Sequence, residues 1–441
     1  MANSILVVEE KITRWLECGE ELSENDVKYL GTLLGQPTRK NDVLLTRYND
    51  VFRKLVQKNC VEIDNDTSIC IYSWNPRAYV RYFPVALHAT GTILLFKKDC
   101  RVELVAWPIH RSMDPEVKGV ELPLDEKPVE VTKRVDGWQI TAYYDKVLDK
   151  WMLATRYVLH NMYYERGRLH IENYGEIVNP YVEVADYVAR RDGLYDVLKG
   201  FEGWTFTFVL EGPEPAIIRP PQPILIEEYM DKYRLLLVTA RKPGGELLTT
   251  SESGSILGWR TVEVVKTDKT IRELLEDAKH MLDTRSLMVR LTGDKETPLL
   301  YELKSEVYPD VMRFIHNYDA KSYMLLAMRG ISDKVLEIIK DDKVREKARR
   351  LEEQVLEVKS ILEELISKSP DKLREYVLSK PELRPLVRDL GKIAETRAYD
   401  RVAKKMLALV LTDKSIYEAE NIVKELLSDL RNLSSKDGEQ G

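Results

Sequence analysis

Between Ile69 and Tyr308 the chain breaks into short β-branched and aromatic runs, each stopped by Gly, Pro or Asp. They are Ile69 to Trp74, Thr92 to Phe96, Val102 to Trp107, Gln139 to Tyr144, Met152 to Val158, Thr205 to Leu210, Leu235 to Thr239, Thr261 to Val265, Leu287 to Leu291 and Leu299 to Leu303. Runs of this length and composition read as strands. At least two helical stretches interrupt them, Tyr187 to Leu198 and Ile271 to Leu282, without regular strand–helix alternation, so the body is expected to be α+β with antiparallel sheets.

Helical texture flanks this body on both sides. Ser23 to Asp26 reads as the cap of a helix carrying Val27, Leu30, Leu33 and Leu34, and Val51, Leu55 and Val56 space similarly further on. Beyond Gly330, Leu351, Val355, Val358, Leu362 and Leu365 step by four and three, which places them on one seam of a long helix, internal or facing a partner. The expected organisation is a helical segment 1–65, a sheet-bearing body 66–328, a helical domain 329–433 and a disordered tail 434–441.

Composition narrows the setting. The formal net charge of −6 argues against coating nucleic acid with the whole surface, although a local basic groove stays open. Cys18, Cys60, Cys70 and Cys100 show neither paired metal spacing nor a dense disulfide framework, so a reducing cytoplasm is expected. No signal peptide and no apolar run near the bilayer-spanning length is visible. Charged residues at 32% with scarce Gln lean toward a thermophile, where ion-pair networks gain value.

No zincin His pair, GxSxG elbow, P-loop or dinucleotide fingerprint occurs, and no metal ligands are assigned. What remains is an ordered series of strand-borne motifs. His88 to Phe96 leads to Val105 to Asp114, then Lys133-Arg-Val-Asp-Gly-Trp138, Trp151 to Arg156, Thr205 to Pro215, Ser286 to Arg290 and Tyr301 to Tyr308. In this order the motifs resemble those of the phage-type ATP-dependent RNA ligases, within the covalent nucleotidyltransferase superfamily, over about residues 69–310.

That resemblance implies a nucleotidyltransferase fold and a three-step reaction. A lysine attacks ATP to form a lysyl-adenylate, the AMP passes to an RNA 5′-phosphate, and a 3′-hydroxyl displaces it. Transferred by position, it implies Lys133 as nucleophile, with Arg134, Asp136, Gly137, Arg156, Glu211 and Lys304 around the nucleotide and Arg111 on RNA. ATP with Mg or Mn would be the cofactors, and RNA 5′-phosphate and 3′-hydroxyl ends the partners. A protein partner or self-association is expected through the C-terminal helices.

The catalytic halves of the motifs depart from the family's pattern. Where it has Lys-x-Asp-Gly, Arg134 stands three before Gly137 and Lys133 is displaced by one, which would require a bulge. Thr90 and Trp107 stand at usual arginines and Arg111 at a usual lysine. Val209 holds a glutamate position, with Glu211 two residues on; Ser286 to Arg290 lacks its glutamate, and Glu302 replaces a lysine ahead of Lys304-Ser305. An arginine does not deprotonate in a protein, so it cannot be the nucleophile. These departures point to an inactive or chemically altered relative. Two readings stand: a ligase using Lys133 with Glu211, and a non-catalytic RNA-binding or protein-interaction scaffold.

Overall fold

The computed structural model describes residues 2–75, 82–159, 162–165, 168–171, 180–218, 227–390 and 399–435. The chain forms two compact units, Met1–Lys279 with Thr284–Lys304, and His280–Asp283 with Ser305–Gly441.

The first unit opens with three helices, Ser4–Glu17, Glu24–Leu33 and Asn41–Lys54. The Asn3 side chain accepts from the backbone of Ile5 and Leu6, and Ser23 with Asp26 forms a capping box, so the starts of the first two are fixed locally. Their apolar faces, with Ile5, Val8, Leu30, Leu44 and Val51, pack on an antiparallel sheet ordered β1 (Val56–Asp64), β2 (Thr67–Trp74), β3 (Thr90–Lys97), β4 (Val102–Ala106).

Residues 56–64 were grouped with helical sequence above, yet they form β1. The helical spacing of Val51, Leu55 and Val56 ends at Lys54, and the segment beyond pairs with β2, which lies ahead of it in the chain. β2 is buried on both faces. Cys70 and Tyr72 point to the helices, whereas Ile69 and Ile71 point to a second sheet, following the two-residue period of a strand.

That second sheet has the order β11 (Arg234–Arg241), β10 (Thr205–Glu211), β6 (Trp138–Asp145), β7 (Lys150–Thr155), all antiparallel. Tyr143, Met152 and Ala154 meet the first sheet, and Ile140, Ala142, Phe206, Phe208 and Leu210 meet the helix Pro180–Arg191 and its neighbours. The order of layers is therefore helices, sheet, sheet, helices. A third sheet runs β13 (Leu300–Lys304), β12 (Ser286–Arg290), β5 (Glu130–Lys133), and a hairpin joins β8 (Met162–Glu165) to β9 (Arg168–Ile171).

Three expected elements change. Thr261 to Val265 is no strand but a strap between sheets, bridging Thr261 to Leu237 and Val264 to Thr132. The stretch Tyr187 to Leu198 is split at Gly193, whose φ of 75° ends the helix Pro180–Arg191 before the short Leu194–Val197. The helix begun at Ile271 stops at Lys279.

In the second unit the helix Asp342–Lys368 buries Val344, Ala348, Leu351, Val355, Val358, Leu362 and Leu365 against the helices Tyr399–Val410 and Ile416–Ser435. The seam is thus internal packing. The expected tail lies outside the described residues from 436 onward, and the last helix runs to Ser435.

All four cysteines are bonded, as Cys18–Cys100 and Cys60–Cys70, two bridges where the sequence showed no dense disulfide framework. The separations of 82 and 10 residues carry no local signature, and only the β1–β2 register sets Cys60 opposite Cys70.

Between the motif-bearing strands lies a buried polar group. Arg241, 2% exposed, stacks on Trp107 at 3.7 Å and donates to the carbonyls of Trp107, Gly245 and Glu296. His110 Nε2 donates to the Pro298 carbonyl at 2.7 Å, and His88 Nδ1 accepts from the Ser4 amide at 3.0 Å. Burial, reinforced by nearby Arg241, pushes His110 down to about 3 and His88 well below the usual imidazole range.

Folding therefore favours the neutral rings, and unfolding lets them take up protons. Stability from this source is complete above the unfolded value near ~6.5 and is lost as pH falls from there toward about 3. Urea denaturation across that window should show a falling unfolding free energy, with a shallower acid limb in His110→Asn.

Candidate functional site

A cleft of about 430 Å³ opens between the second and third sheets, wholly within the first unit. Its walls carry Arg111, Asp114, Lys133, Arg134, Gly137, Arg156, Arg285, Glu302 and Lys304, with Trp74, Tyr82, Phe208, Val209 and Met288 as the apolar share. Of the residues inferred from the motifs, the fold therefore gathers Arg111, Lys133, Arg134, Gly137, Arg156 and Lys304 around one cavity. Asp136 lies just behind it.

The register of the third sheet decides which of Lys133 and Arg134 faces inward. Lys133 stands opposite Leu287, which stands opposite Leu303, and both leucines are buried in the core. Thr132, Met288 and Glu302 form the neighbouring row, pointing the other way into the cleft. Arg134 continues the ladder by donating its amide to the Ser286 carbonyl at 2.9 Å, so it shares the cleft face with Ser286 and Lys304.

Side-chain contacts agree with the register. Arg134 makes an ion pair with Glu302, whose carboxylate also accepts from Ser286 Oγ at 2.9 Å. Lys133 borders the cleft, but its ammonium meets Glu263 on the strap at 3.0 Å. No bulge interrupts the β5–β12 pairing, which runs from Glu130 opposite Arg290 to Lys133 opposite Leu287.

Asp136-Gly137 is not a hairpin turn, because β5 and β6 on either side belong to different sheets. Asp136 is a structural junction. Its carboxylate accepts from Arg285 at 2.7 Å and from the Ile217 amide at 3.1 Å, and its carbonyl accepts from the Ala216 amide at 3.0 Å. Gly137 is needed for close approach, since a Cβ there would lie 2.3 Å from the Leu210 carbonyl oxygen.

Opposite this junction, Arg111 and Arg156 both lie over the Trp74 indole, at 4.1 and 4.5 Å from its centre. Arg111 also lies 4.8 Å from the centre of Tyr82, and Arg156 lies 4.4 Å from that of Tyr157. Burial, with Arg134 and Arg111 close by, lowers Arg156 to about 10, and burial lowers Arg111 as well. Both guanidiniums still carry full charge at neutral pH. Arg111 is held in place from behind, its segment hanging from the Thr205 and Thr207 hydroxyls through the amides of Trp107 and Ile109, each at 3.0 Å.

The remaining inferred residues divide. Lys304 lines the cleft and pairs with Asp114, with Glu116 at 3.5 Å. Glu211 is not brought to the cavity: it ends β10 and pairs across the strand with Arg234 at 2.5 Å. Trp74, Tyr82, Asp114, Glu263 and Arg285 were not assigned roles from sequence. Trp74 only ended a strand run there, and nothing local marks Glu263 or Arg285 as neighbours of Lys133 and Asp136.

The donor set does not fit a divalent cation. The cleft's carboxylates, Asp114 and Glu302, are each already in contact with a side-chain cation, and Val209 offers no oxygen where the family's pattern has a glutamate. Among the described residues no group of three metal-ligating side chains gathers. The guanidiniums, in contrast, suit phosphate oxygens.

A Gly137→Ala substitution should cost about 1–3 kcal/mol by overpacking against the Leu210 carbonyl, read as a lowered denaturant midpoint. Glu302→Gln should cost less stability than Glu302→Ala, because the amide can still accept from Ser286 Oγ. Equal losses in both would show that the hydroxyl contact contributes nothing.

No family model matches the chain, and no curated protein matches it. Among solved structures it is similar to an archaeal ATP-dependent RNA ligase in two forms. One has 13% identity and a TM-score of 0.38, covering 69% of this chain and 74% of that one. The other has 9% identity and a TM-score of 0.39, covering 71% and 79%. A Naegleria gruberi RNA ligase mutant with ATP and Mn follows at 15% identity and a TM-score of 0.29, covering 42% of this chain. The match spans about half, 52%, of that ligase chain.

Proposed function

We propose that the protein is an RNA ligase-like binder of RNA ends that also admits a nucleotide to the same cleft and forms no lysyl-adenylate. The observation carrying this reading is that both cations border the cleft, yet Arg134, paired to Glu302, stands on the row that faces it, while the Lys133 ammonium is turned to Glu263 on the strap. A lysine attacks a phosphate only when deprotonated and aimed at it, and an arginine cannot take over that role. The motif order supports the ligase-like body, and the cationic cleft supports an anionic ligand.

In this proposal the sheet-bearing unit holds the RNA 5′-phosphate or 3′-hydroxyl end and the nucleotide. The helical unit is a separate domain open to a protein partner or a second copy. ATP with Mg or Mn serves as the probe of the nucleotide arm. We place the protein in the cytoplasm of a thermophile, a setting in which its charge content and its two disulfides are compatible.

The test is incubation with labelled ATP and Mg or Mn, followed by a search for covalent protein–AMP. None is expected. An adduct that disappears in Lys133→Ala would overturn the proposal in favour of a working ligase. Single-stranded RNA should bind with affinity that falls as salt rises. Absence of RNA binding would leave only a protein-interaction scaffold.

A further inference from the structure

The cleft contains two kinds of cation. Lys133, Arg134, Arg285 and Lys304 each meet a carboxylate, respectively Glu263, Glu302, Asp136 and Asp114. Arg111 and Arg156 meet aromatic rings instead, and among the described residues neither makes an ion pair. Arg111 Nη1 and Trp74 Nε1 are buried, with no hydrogen-bond partner among the described residues. Donors left this way cost free energy unless a ligand accepts from them, and each such group in a folded protein calls for an explanation.

Resting on the reading above, we propose that Arg111 and Arg156, set on the Trp74 indole, form a seat for a terminal phosphate monoester that works without a divalent cation. Both guanidiniums lie over the one indole and line the same cleft, so a phosphate that enters it meets both. Guanidinium forks match phosphate geometry, and stacking on rings holds them in place without neutralising them. The aromatic contacts thus do for position what carboxylates do for the other four cations, while leaving the positive charge available.

Charge balance explains the independence from metal. A metal bridges phosphate to protein where the protein side is acidic, and here Asp114 and Glu302 are already engaged by Lys304 and Arg134. A phosphate monoester, with close to two negative charges, matches directly the two guanidiniums that no carboxylate pairs, of which Arg156 also donates to the Tyr157 hydroxyl. An internal phosphodiester carries one charge and offers fewer free oxygens, so the seat selects chain ends over chain interiors.

The RNA 5′-phosphate and the phosphate of free AMP present the same group, and the experiment separates them. Fluorescence anisotropy would compare single-stranded RNA carrying a 5′-phosphate or a 5′-hydroxyl, in EDTA and in Mg. Thermal shift with AMP would report the free monoester. The phosphorylated RNA is expected to bind about tenfold or more tighter in EDTA. That preference should fall away in Arg156→Gln and in Arg111→Gln, whereas Lys404→Gln, on a helix of the second unit, should retain it.

Circular dichroism of each variant establishes that it is folded, and Arg156→Lys, which keeps charge without the fork, should recover part of the preference. Equal affinity for both RNA ends, a preference that appears only with Mg, or one unchanged in both glutamine variants would overturn the seat. The first of these leaves the RNA-binding reading intact. Absence of RNA binding, with AMP still stabilising the wild type but neither glutamine variant, would keep the seat and overturn the RNA reading.

Discussion

The pairing of β5 with β12 governs the chemistry open to this protein. Because successive side chains of a strand point to opposite faces, a one-residue change of register would exchange Lys133 and Arg134 between core side and cleft. The register is held by what lies on the core side. Val131, Leu287, Val289 and Leu303 are all nearly or wholly buried, and slipping the strand would turn Val131 out toward the cavity. Hydrophobic burial, rather than any interaction of the lysine itself, therefore sets Arg134 inward.

Once Arg134 faces the cleft, Glu302 follows. An arginine alone in a half-buried site carries a desolvation cost, and a carboxylate on the adjacent row offsets part of it. Arg134 and Glu302 are thus a matched pair, an inward cation met by an inward anion. The same matching recurs at Lys304 with Asp114 and at Arg285 with Asp136. Against this background the aromatic partners of Arg111 and Arg156 stand apart.

The cleft wall is anchored by buried polar groups. Arg241 ties the backbone of Trp107, Gly245 and Glu296 together from inside the core, and the neutral His110 ties the next turn of chain to Pro298. The N-terminal helices contribute from further away, covering one face of the first sheet while its other face packs on the second. These layers position Trp74 at the end of β2 and Arg111 beyond β4, two residues far apart in sequence that meet only at the cavity.

Much of the architecture was legible in the chain alone. Short β-branched and aromatic runs marked most strands, the four-and-three spacing from Leu351 to Leu365 marked a helix seam, and motif order placed Arg111, Arg134, Arg156 and Lys304 together. Those signals are local, or repeat along one element. β1 was hidden because its partner follows it, the disulfides because one joins cysteines set opposite by sheet register and the other joins a helix end to a distant turn, and the strap at 261–265 because isolated bridges leave no period. Glu211 looked equivalent to Val209 by strand parity, yet its neighbour Arg234 draws it away from the cavity. The sequence by itself determined the residue types available to the cleft and the α+β body that carries them. Which carboxylate each of the two adjacent cations meets at the cavity wall, and which cations remain without one there, was decided only by tertiary structure, because both depend on strands distant in the chain coming into register.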